Sequence, residues 1–521
     1  MQDRRHARTQ KKHPGAANTT DCVKIARAGS FQSFGKAVDE VMRFLRGVER
    51  KQVMLLPAAV DDYVSAENPV RAIDAFVDGL SLEELGFVQP READAPGAPG
   101  YDPGALLKLY VYGYLNRVRS SRELEKATRR NLEVIWLMRQ LTPDHWTINA
   151  FRRAHRARFR QVFREFALIC GSLGLFGTAL VAIDGSHFQA VNSPRRNFTE
   201  AKIKALLKEL DEKIEAYLKT LDTNDQEASA QGFDQAGKDA ESLRAKLAQM
   251  EGERKRCAEL LASLEQSPTG QISQTDPDSR TLKKGGQSVV GYNVQIAVDT
   301  AHHLVAAEQV TQEPCDWQML APMAVEAKEN LQADQLRVVA DAGYFSHEQL
   351  RQCAQAGIEP NVPNKSARPA GTGAYPLDDF RYDAQADCYV CPQGKVLQRR
   401  DDVVQRNVPY RRYYTKAACV DCPMLKQCTR GKFRSLQVAE GHRLATEVQA
   451  RWKAQPELRK LRNQTVEHVF GTLKFWWGFR AFLCRGLQAV QAEFSLAALA
   501  YNFRRALNVV GVTAIVAAAN S

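Results

Sequence analysis

Two spacings of apolar residues divide this chain into regions. Over residues 42–170 and 440–508, apolar positions recur every three or four residues, whereas residues 176–360 contain short apolar runs between helical segments. Steps of three and four predict helices, and short apolar runs bounded by turn residues predict strands. We therefore expect a helical N-terminal region, followed by an α/β region that ends in further helices.

A long helical insert interrupts the α/β region over residues 197–266. Its apolar positions step by three and four over residues 203–221 and again over residues 243–264, with a polar stretch between the two stripes. Two such stripes predict an antiparallel helical hairpin whose helices pack on each other.

Two apolar runs of the α/β region lead directly into an aspartate. Residues 179–183 precede Asp184, and residues 336–340 precede Asp341. A buried strand that ends in a carboxylate presents it at the rim of the sheet, where catalytic carboxylates commonly lie. An aspartate that merely opens a turn has the same pattern, so each run alone leaves both interpretations open.

A β-hairpin is predicted between these two runs. Residues 289–298 and 304–310 have the composition of strands, and Asp299 and Thr300 mark a turn between them. Two such runs on either side of a short polar turn are typical of paired antiparallel strands.

A third carboxylate lies in a segment with helical periodicity. Val466, Phe470, Leu473 and Trp477 form an apolar stripe, which predicts a helix with one buried face. A second face of the same helix carries Lys460, Asn463, Glu467, Gly471 and Lys474. An acid between lysines suits a metal-bound phosphate, although a solvent-facing helix with ordinary salt bridges has the same residues.

Positive charge is concentrated in a few parts of the chain. The 521 residues carry 72 Lys or Arg and 60 Asp or Glu, which gives a net charge of +12. Residues 388–434 alone have eleven basic residues against three aspartates. A chain this basic indicates a polyanionic partner, most often nucleic acid, although a basic surface without a partner has the same composition.

Composition and the chain ends limit the class of protein further. Hydrophobic residues make up 44% of the chain, which excludes disorder for most of it. Residues 1–41 are polar and basic without periodicity, so we expect a disordered extension there, with Met42 as an alternative start. No signal peptide is apparent, and the longest apolar stretch is shorter than the ~20 residues of a membrane span. We expect a cytoplasmic protein with no membrane partner.

A row of arginines is predicted on one long helix that opens at Pro143 or Thr147. Arginines recur at steps of three and four and so share one face of that helix: Arg153, Arg156, Arg160 and Arg164. Short helices followed by a helix with a cationic stripe suit a helix-turn-helix on DNA. A solvated face of an ordinary helical bundle is the alternative.

Five cysteines fall within residues 375–435. Cys388 and Cys391 form one CxxC pair, Cys419 and Cys422 form another, and Cys428 follows. Two such pairs complete a tetrahedral zinc site, and the last four of the five would serve equally by geometry. We therefore expect a structural Zn²⁺ held by four of the five in a small Cys-rich insert, with unliganded thiols as the alternative.

Several motifs resemble those of the DDE-type transposases of bacterial insertion sequences. In chain order they are AIDGSHF, TDPDSR, GYNVQIAVD, ADAGYFS and TVEHVFGTLK, and the resemblance covers residues 42–507. It is to the subgroup with a helical insert after the first aspartate and a Cys-rich insert before the glutamate. The resemblance implies an α/β fold with a ribonuclease-H-like mixed sheet, formed by residues 176–360 plus 440–508. It also implies an all-α DNA-binding domain over residues 42–170 and favours the zinc set without Cys388.

The resemblance also implies the chemistry. Asp184, Asp341 and Glu467 would be the catalytic triad and would hold two Mg²⁺ or Mn²⁺ ions, which are hard cations that take oxygen ligands. The implied reaction is cleavage of double-stranded DNA at terminal inverted repeats, followed by strand transfer into target DNA. A homo-oligomer in a synaptic complex, associated with the bacterial nucleoid, would perform it.

The glutamate helix departs from the pattern of many relatives. Lys474 is implied as a DNA contact, but Lys460 and Asn463 stand where relatives carry tyrosine and arginine. Arg462 is one position away from that arginine, roughly 140° around the helix from Glu467. We count Lys460 and Arg462 with Lys474 among the expected DNA contacts.

Two other functions are compatible with these residues. A related metal-dependent nuclease would need the same triad and would cut DNA without strand transfer. A non-catalytic zinc-containing DNA-binding protein would bind DNA without divalent ions and would tolerate replacement of Asp184.

Overall fold

The structure is a computed structural model, and it describes most of the chain beyond the N-terminal extension. The described residues are 59–87, 100–177, 180–228, 236–266, 270–284, 286–364, 375–405 and 408–520. All of them belong to one contact unit, Ala58–Ser521. The predicted disordered extension over residues 1–41 and the alternative start at Met42 lie outside the described residues.

The chain forms a mixed α/β fold. The strands are β1 (Leu180–Gln189), β2 (Asn197–Thr199), β3 (Gln271–Ser273), β4 (Arg280–Lys284), β5 (Gln287–Asp299), β6 (Val305–Thr311), β7 (Leu336–Val339), β8 (Ile358–Asn361), β9 (Arg381–Asp383), β10 (Cys388–Val390), β11 (Val396–Gln405), β12 (Val408–Tyr413) and β13 (Leu436–Ala439). The helices are α1 (Pro69–Asp78), α2 (Pro103–Leu115), α3 (Ser121–Arg130), α4 (Leu132–Leu137), α5 (His145–Ala154), α6 (Phe159–Ser172), α7 (Glu200–Ala228), α8 (Ala236–Glu265), α9 (Leu320–Asn330), α10 (His347–Gln355), α11 (Leu425–Cys428), α12 (His442–Ala454), α13 (Glu457–Gly471) and α14 (Leu487–Ala519).

The largest sheet brings the two aspartate segments side by side. Its strand order is β6, β5, β1, β7, β8, with β4 beside the first part of β5. β5 runs antiparallel to β1 and to β6, whereas β7 runs parallel to β1 and to β8. Ala182 of β1 pairs with Val339 of β7, so two further steps along each chain bring Asp184 level with Asp341. The predicted hairpin is confirmed as β5 and β6.

The first strand is longer than its apolar run predicts. β1 continues through Asp184 to Gln189 because β5 pairs with it along this whole length, and Asp184 lies opposite Ile296. The prediction that Asp184 ends a strand is therefore wrong. The polar segment after Ile183 stays extended because cross-strand pairing satisfies its backbone hydrogen bonds.

The sheet separates two hydrophobic cores. Alternate residues of β1 enter each one, with Ala182 and Phe188 in the larger core and Val181 and Ile183 in the smaller. The larger core includes residues of α1, α2, α6, α13 and α14, and the smaller includes residues of α9, α10 and α12. Because side chains alternate between faces along a strand, Asp184 shares its face with Ala182 and Phe188.

The N-terminal region is helical, as predicted, but its arginine helix is not continuous. α5 ends at Ala154 and α6 begins at Phe159, so residues 155–158 separate them. The prediction of one helix with a continuous cationic stripe is therefore wrong, because the break places the arginines on different elements. The helices of this region also pack on α14 within the larger core.

The two inserts have different architectures. Helices α7 and α8 pack together as predicted, Arg254 forms an ion pair with Asp211 across them, and β2 pairs antiparallel with β3 at their base. The Cys-rich segment contains a five-stranded sheet in the order β13, β12, β11, β10, β9, with a small core of its own. The sequence pattern did not predict this sheet.

The C-terminal helices complete the larger core. α13 ends at Gly471 and is followed by one π-helical turn, Thr472–Trp476. The start of α14 is anchored by the motif before β4, since Asp276 accepts from the Gly486 amide and Asp278 from the Leu487 amide. Within the part of the chain that the structure describes, no helix is long and apolar enough to cross a membrane.

Candidate active site

Asp184 and Asp341 lie close enough to share one cation from α13. Arg462 Nη2 is 2.7 Å from Asp184 Oδ1 and 3.8 Å from Asp341 Oδ2. The side chain of Asp184 is 16% exposed and that of Arg462 is 14%, whereas that of Asp341 is 42% exposed. The two acids thus meet at a half-open rim of the sheet, and the arginine balances part of their charge.

Local backbone geometry orients both aspartates. Asp184 Oδ1 accepts from the Gly185 amide at 2.8 Å. Asp341 Oδ1 accepts from the Gly343 amide at 2.7 Å and so caps the 3-10 turn Ala342–Tyr344 that follows β7. Each carboxylate is held from its own segment, so its direction does not depend on Arg462 alone.

A cavity of about 340 Å³ opens beside Asp341. Its walls include Arg459, Arg462 and Asn463 from α13 and Trp452 from α12. Arg462 Nη1 donates to Asn463 Oδ1 at 3.0 Å. The cavity is therefore lined by acid on the sheet side and by cationic and amide groups on the helix side, which suits a phosphate held against bound cations.

Glu467 does not complete a three-carboxylate metal site with this pair among the described residues. It is exposed on α13, and no hydrogen bond or ion pair joins it to another described residue. Asn463, one turn earlier on the same face of α13, lines the cavity beside Asp341, and Lys474, two turns later, contacts the strand of Asp184. Lys460, also exposed, lies farther towards the start of this helix.

Lys474 reaches the strand that carries Asp184. Its Nζ donates to Ser186 Oγ and to the His187 carbonyl, each at 2.6 Å, and it lies 4.3 Å from the centre of the Phe188 ring. Ser186 is two residues beyond Asp184, so both face α13. The structure thus places Lys474 beside the candidate site, and its contact with DNA stays a prediction.

A second polar cluster, which the sequence analysis missed, lies on the other face of β1. Asp316 Oδ1 accepts from Asn293 at 2.8 Å and from Gln295 at 2.7 Å. These groups crowd against Gly185, where a Cβ atom would lie 2.8 Å from Asp316 Oδ1. Only glycine fits here, which keeps the strand next to Asp184 flat against the cluster. Amides at alternate positions of the otherwise apolar β5 were the signal that could have revealed it.

Tyr344 links this cluster to the loop after β7. Its hydroxyl donates to Gln295 Oε1. Burial raises the pKa of Tyr344 well above its ordinary value, and the nearby carboxylates of Asp316, Asp184 and Asp341 add to the shift. The tyrosine therefore stays a neutral donor that holds the Asp341 loop against β5.

Four of the five clustered cysteines line one small cavity of about 30 Å³. They are Cys391, Cys419, Cys422 and Cys428, whereas Cys388 is buried in β10 and does not line this cavity. Burial raises the pKa of the Cys428 thiol, and the other three cysteines raise it further. The cavity is of a size for a single small occupant. It gathers the four cysteines that the family resemblance favours.

Neither predicted metal site has its ligands arranged around one point. Among the described residues, no group of three or more His, Cys, Asp or Glu side chains is arranged to hold a metal ion. At the expected Mg²⁺ site the guanidinium of Arg462 pairs with the two aspartates. The four cysteines supply suitable donors, but they too do not converge on one point. Both metal ions therefore stay predictions.

The four arginines expected on one face have different surroundings. Arg160 Nη2 donates to the Glu308 carbonyl at 3.0 Å and pairs with Glu326 at 2.5 Å, so it joins α6 to β6 and α9. This guanidinium is engaged with protein partners, and its contact with DNA stays a prediction. Arg164 is exposed on α6, while Arg153 and Arg156 line a separate pocket with residues 483–485.

Comparisons with known proteins agree on one class. Residues 390–507 match the family model described as transposase DDE domain, and residues 58–154 match the one described as transposase domain (DUF772). The first match includes Glu467 but not the two aspartates. No curated protein matches the chain.

One solved structure shows a distant likeness. It is the cryo-EM structure of a piggyBac transposase synaptic complex with hairpin DNA. The identity is 7% and the TM-score 0.29, over 87% of this chain and 80% of that one.

Proposed function

Because this chain belongs to the DDE-type transposases, we propose that it cleaves DNA at the inverted-repeat ends of its element and transfers the strands into target DNA. The observation that carries the proposal is the meeting of Asp184 and Asp341 on adjacent parallel strands, beside a cavity open to solvent. Two carboxylates held side by side are the start of a site for divalent metal catalysis.

The strand order supports a ribonuclease-H-like catalytic domain. Three strands, β1, β5 and β6, form an antiparallel meander, and β7 and β8 extend it in parallel beyond β1. The resemblance noted from the motifs implied this arrangement. In the proposed domain the first and second aspartates come from β1 and from the loop after β7.

Glu467 is proposed as the third catalytic carboxylate. Two Mg²⁺ or Mn²⁺ ions would supply charge stabilisation and an activated oxygen nucleophile when bound. Arg462 balances part of the negative charge of the two aspartates in the present arrangement. Its guanidinium must therefore move away from Asp184 and Asp341 before they can serve as metal ligands. Glu467 is exposed and unengaged among the described residues, so its side chain is free to turn towards them.

The charge distribution supports double-stranded DNA as partner. Lys474 lies beside the strand of Asp184, and Arg459 and Arg462 line the cavity at Asp341. Guanidinium and ammonium groups at the cleavage site would hold the phosphates on either side of the attacked bond. Action on two element ends would require a homo-oligomer.

A structural zinc ion in the Cys-rich insert is part of the proposal. The cavity lined by Cys391, Cys419, Cys422 and Cys428 supports that set over any set with Cys388. We expect one zinc per chain by elemental analysis of the purified protein. Cys419→Ser should lose the metal and Cys388→Ser should keep it, whereas loss in the second variant alone would contradict the assignment.

The decisive experiment uses a labelled duplex that carries the repeat flanking the gene, with Mg²⁺ or Mn²⁺ and a second unlabelled duplex. Asp184→Asn, Asp341→Asn and Glu467→Gln should each abolish nicking at the repeat boundary. Asp334→Asn and Glu457→Gln are matched controls, because both residues are exposed and lie outside the site. Cutting that survives all three replacements would contradict the proposal.

The same assay separates the two other functions. Metal-dependent cutting without joining to the second duplex would identify a nuclease that lacks strand transfer. Tight binding without cutting in either metal would identify a non-catalytic DNA-binding protein. The lack, among the described residues, of three acids arranged to hold a metal ion is the one observation that favours this last candidate.

A further inference from the structure

A large cationic pocket lies away from the candidate active site. Its volume is about 700 Å³, and it opens between α5 and residues 483–485, the loop before α14. Four arginines line it, three from the end of α5 and the break after it and one from the loop: Arg152, Arg153, Arg156 and Arg485. We call it the arginine pocket.

Three of the four arginines of this pocket have no acid partner among the described residues. Arg153, Arg156 and Arg485 are exposed, and none of them has an ion pair or hydrogen bond with another described residue. Arg152 lies deeper and donates to Asn149 Oδ1 at 3.0 Å. The three exposed guanidinium groups around this space repel each other unless an anion enters.

The carboxylate behind the pocket is already engaged. Glu493 is fully buried, accepts from the Leu483 and Cys484 amides at 2.9 Å each, and pairs with Arg119 at 3.3 Å. Its charge holds the loop in place and is shared with Arg119. It therefore fixes the wall of the arginine pocket, and its negative charge also acts on Arg152, so the three exposed arginines are the ones left without an acid partner.

The pocket is joined firmly to the strand that carries Asp184. The Gln189 amide donates to the Arg480 carbonyl at 3.1 Å, and the Phe482 amide donates to the Gln189 carbonyl at 2.9 Å. Val191, two residues beyond the end of β1, forms part of the pocket wall. At about 3.3 Å per residue, the pocket lies roughly 20 Å from Asp184 along the strand.

We propose that the arginine pocket binds the phosphodiester backbone of the DNA that is cut at Asp184, about six base pairs from the scissile phosphate at ~3.4 Å per base pair. This inference rests on the proposed function for the identity of the DNA. Arginine suits the role because its planar fork binds phosphate oxygens in pairs. The pocket would fix the distance between the bound flank and the active site.

The first test measures the salt dependence of duplex binding. The triple variant Arg153→Gln, Arg156→Gln, Arg485→Gln should lower the slope of log K against log salt by about 2 to 3, since each lost phosphate contact removes about 0.9. The matched control removes three exposed cations from α8, with Arg244→Gln, Lys255→Gln and Arg256→Gln. An equal loss in this control, or an unchanged slope in the pocket variant, would overturn the inference.

The second test varies the length of DNA beyond the cleavage point. On a duplex with a long flank the pocket variant should bind about tenfold or more weaker than wild type at ~0.1 M salt. On a duplex whose flanks end about four base pairs from that point, the two proteins should bind equally. A difference that persists on the short duplex would place the arginines elsewhere on the DNA.

A catalytic variant separates this inference from the proposed function. Asp184→Asn should keep the wild-type salt slope while it loses cutting. If wild type binds with the expected slope and never cuts, the proposed function fails and the arginine pocket stands. If the pocket variant cuts and binds with the wild-type slope, the pocket inference fails and the function stands. Thermal unfolding of each variant checks that it is folded.

Discussion

The same central sheet presents carboxylates to helices in two places, and the two sites differ in their access to solvent. At the rim, Asp184 and Asp341 face α13 across a cavity open to solvent, with one arginine between them. On β6, Glu308 is fully buried under α14, where its two oxygens accept from Ser495 Oγ and Gln491 Nε2 at 2.6 Å each.

The protonation of Glu308 follows from this enclosure. Burial raises its pKa to about 8, while Arg160 and the hydrogen bonds from Ser495 and Gln491 oppose the shift. A carboxyl group sealed in this way is a structural hydrogen-bonding group. The rim aspartates keep access to water and a cation, so they can exchange ligands. Solvent access, more than residue type, separates the two sites.

The largest expected effect tests which site carries the chemistry. Asp184→Asn should lower the rate of DNA cleavage by about a thousandfold or more, because a lost metal ligand removes several kcal/mol of transition-state stabilisation. Glu308→Gln should cut within about threefold of wild type. Single-turnover assays on the repeat duplex measure both rates, and a comparable loss in the two variants would erase the distinction between the sites.

The pH dependence of stability should come from the sealed site. Glu308 has a raised pKa in the folded protein, so its contribution is fully present below its unfolded pKa of ~4.5 and is lost as pH rises towards about 8. Between those values the folded state binds more protons than the unfolded state. The free energy of unfolding of wild type should therefore fall with pH relative to that of Glu308→Gln.

Urea unfolding of both proteins at several pH values between 4.5 and 9 measures this difference. Parallel curves would show that Glu308 does not keep its proton in the folded protein. The two sites would then differ less than their surroundings indicate.

Loss of the rim arginine should have a smaller effect on stability. Arg462→Met leaves Asp184 and Asp341 without their shared cation, which we expect to lower the free energy of unfolding by about 2 kcal/mol, less than for a fully buried pair. The double variant with Asp184→Asn should regain part of this loss, since it removes one of the two negative charges that lack a cation. If Arg462→Met leaves the free energy of unfolding unchanged, the rim acids are already well solvated.

Divalent ions should compete with Arg462, which gives the smallest expected effect. At Mg²⁺ concentrations about tenfold above its Kd, wild type should gain about 1.4 kcal/mol of stability. Arg462→Met should bind the ion more tightly, because a cation that competes for the same oxygens is gone. Thermal unfolding at increasing Mg²⁺ measures both, and Asp341→Asn should lose the response.

Several local features were predictable because neighbouring residues determine them. The turn residues Asp299 and Thr300 predicted the β5–β6 hairpin, and the apolar stripe predicted α13. The two aspartates were located through apolar runs alone. Helix and turn preferences act within a few residues, so one sequence displays them directly.

Other features depended on contacts between distant segments. Asp184 lies inside a strand because β5 extends the pairing, and Arg160 is turned inward because Glu326 and β6 lie opposite it. The polar cluster of Asn293, Gln295 and Asp316 likewise forms from two separate segments. Each of these depends on which surfaces meet, and no local pattern reports that.

The sequence by itself therefore determined the acids, the cysteine pairs, the helical insert and the order of the elements, because these follow from residue type and short-range periodicity. Only the tertiary structure decided that Arg462 pairs with both aspartates and that Glu467 completes no three-carboxylate metal site with them among the described residues. It alone decided that four arginines from α5, the break after it and a distant loop share one pocket. The reason is physical: the strand register and the packing of helices on the sheet set distances between residues hundreds of positions apart, and those distances determine which charges interact.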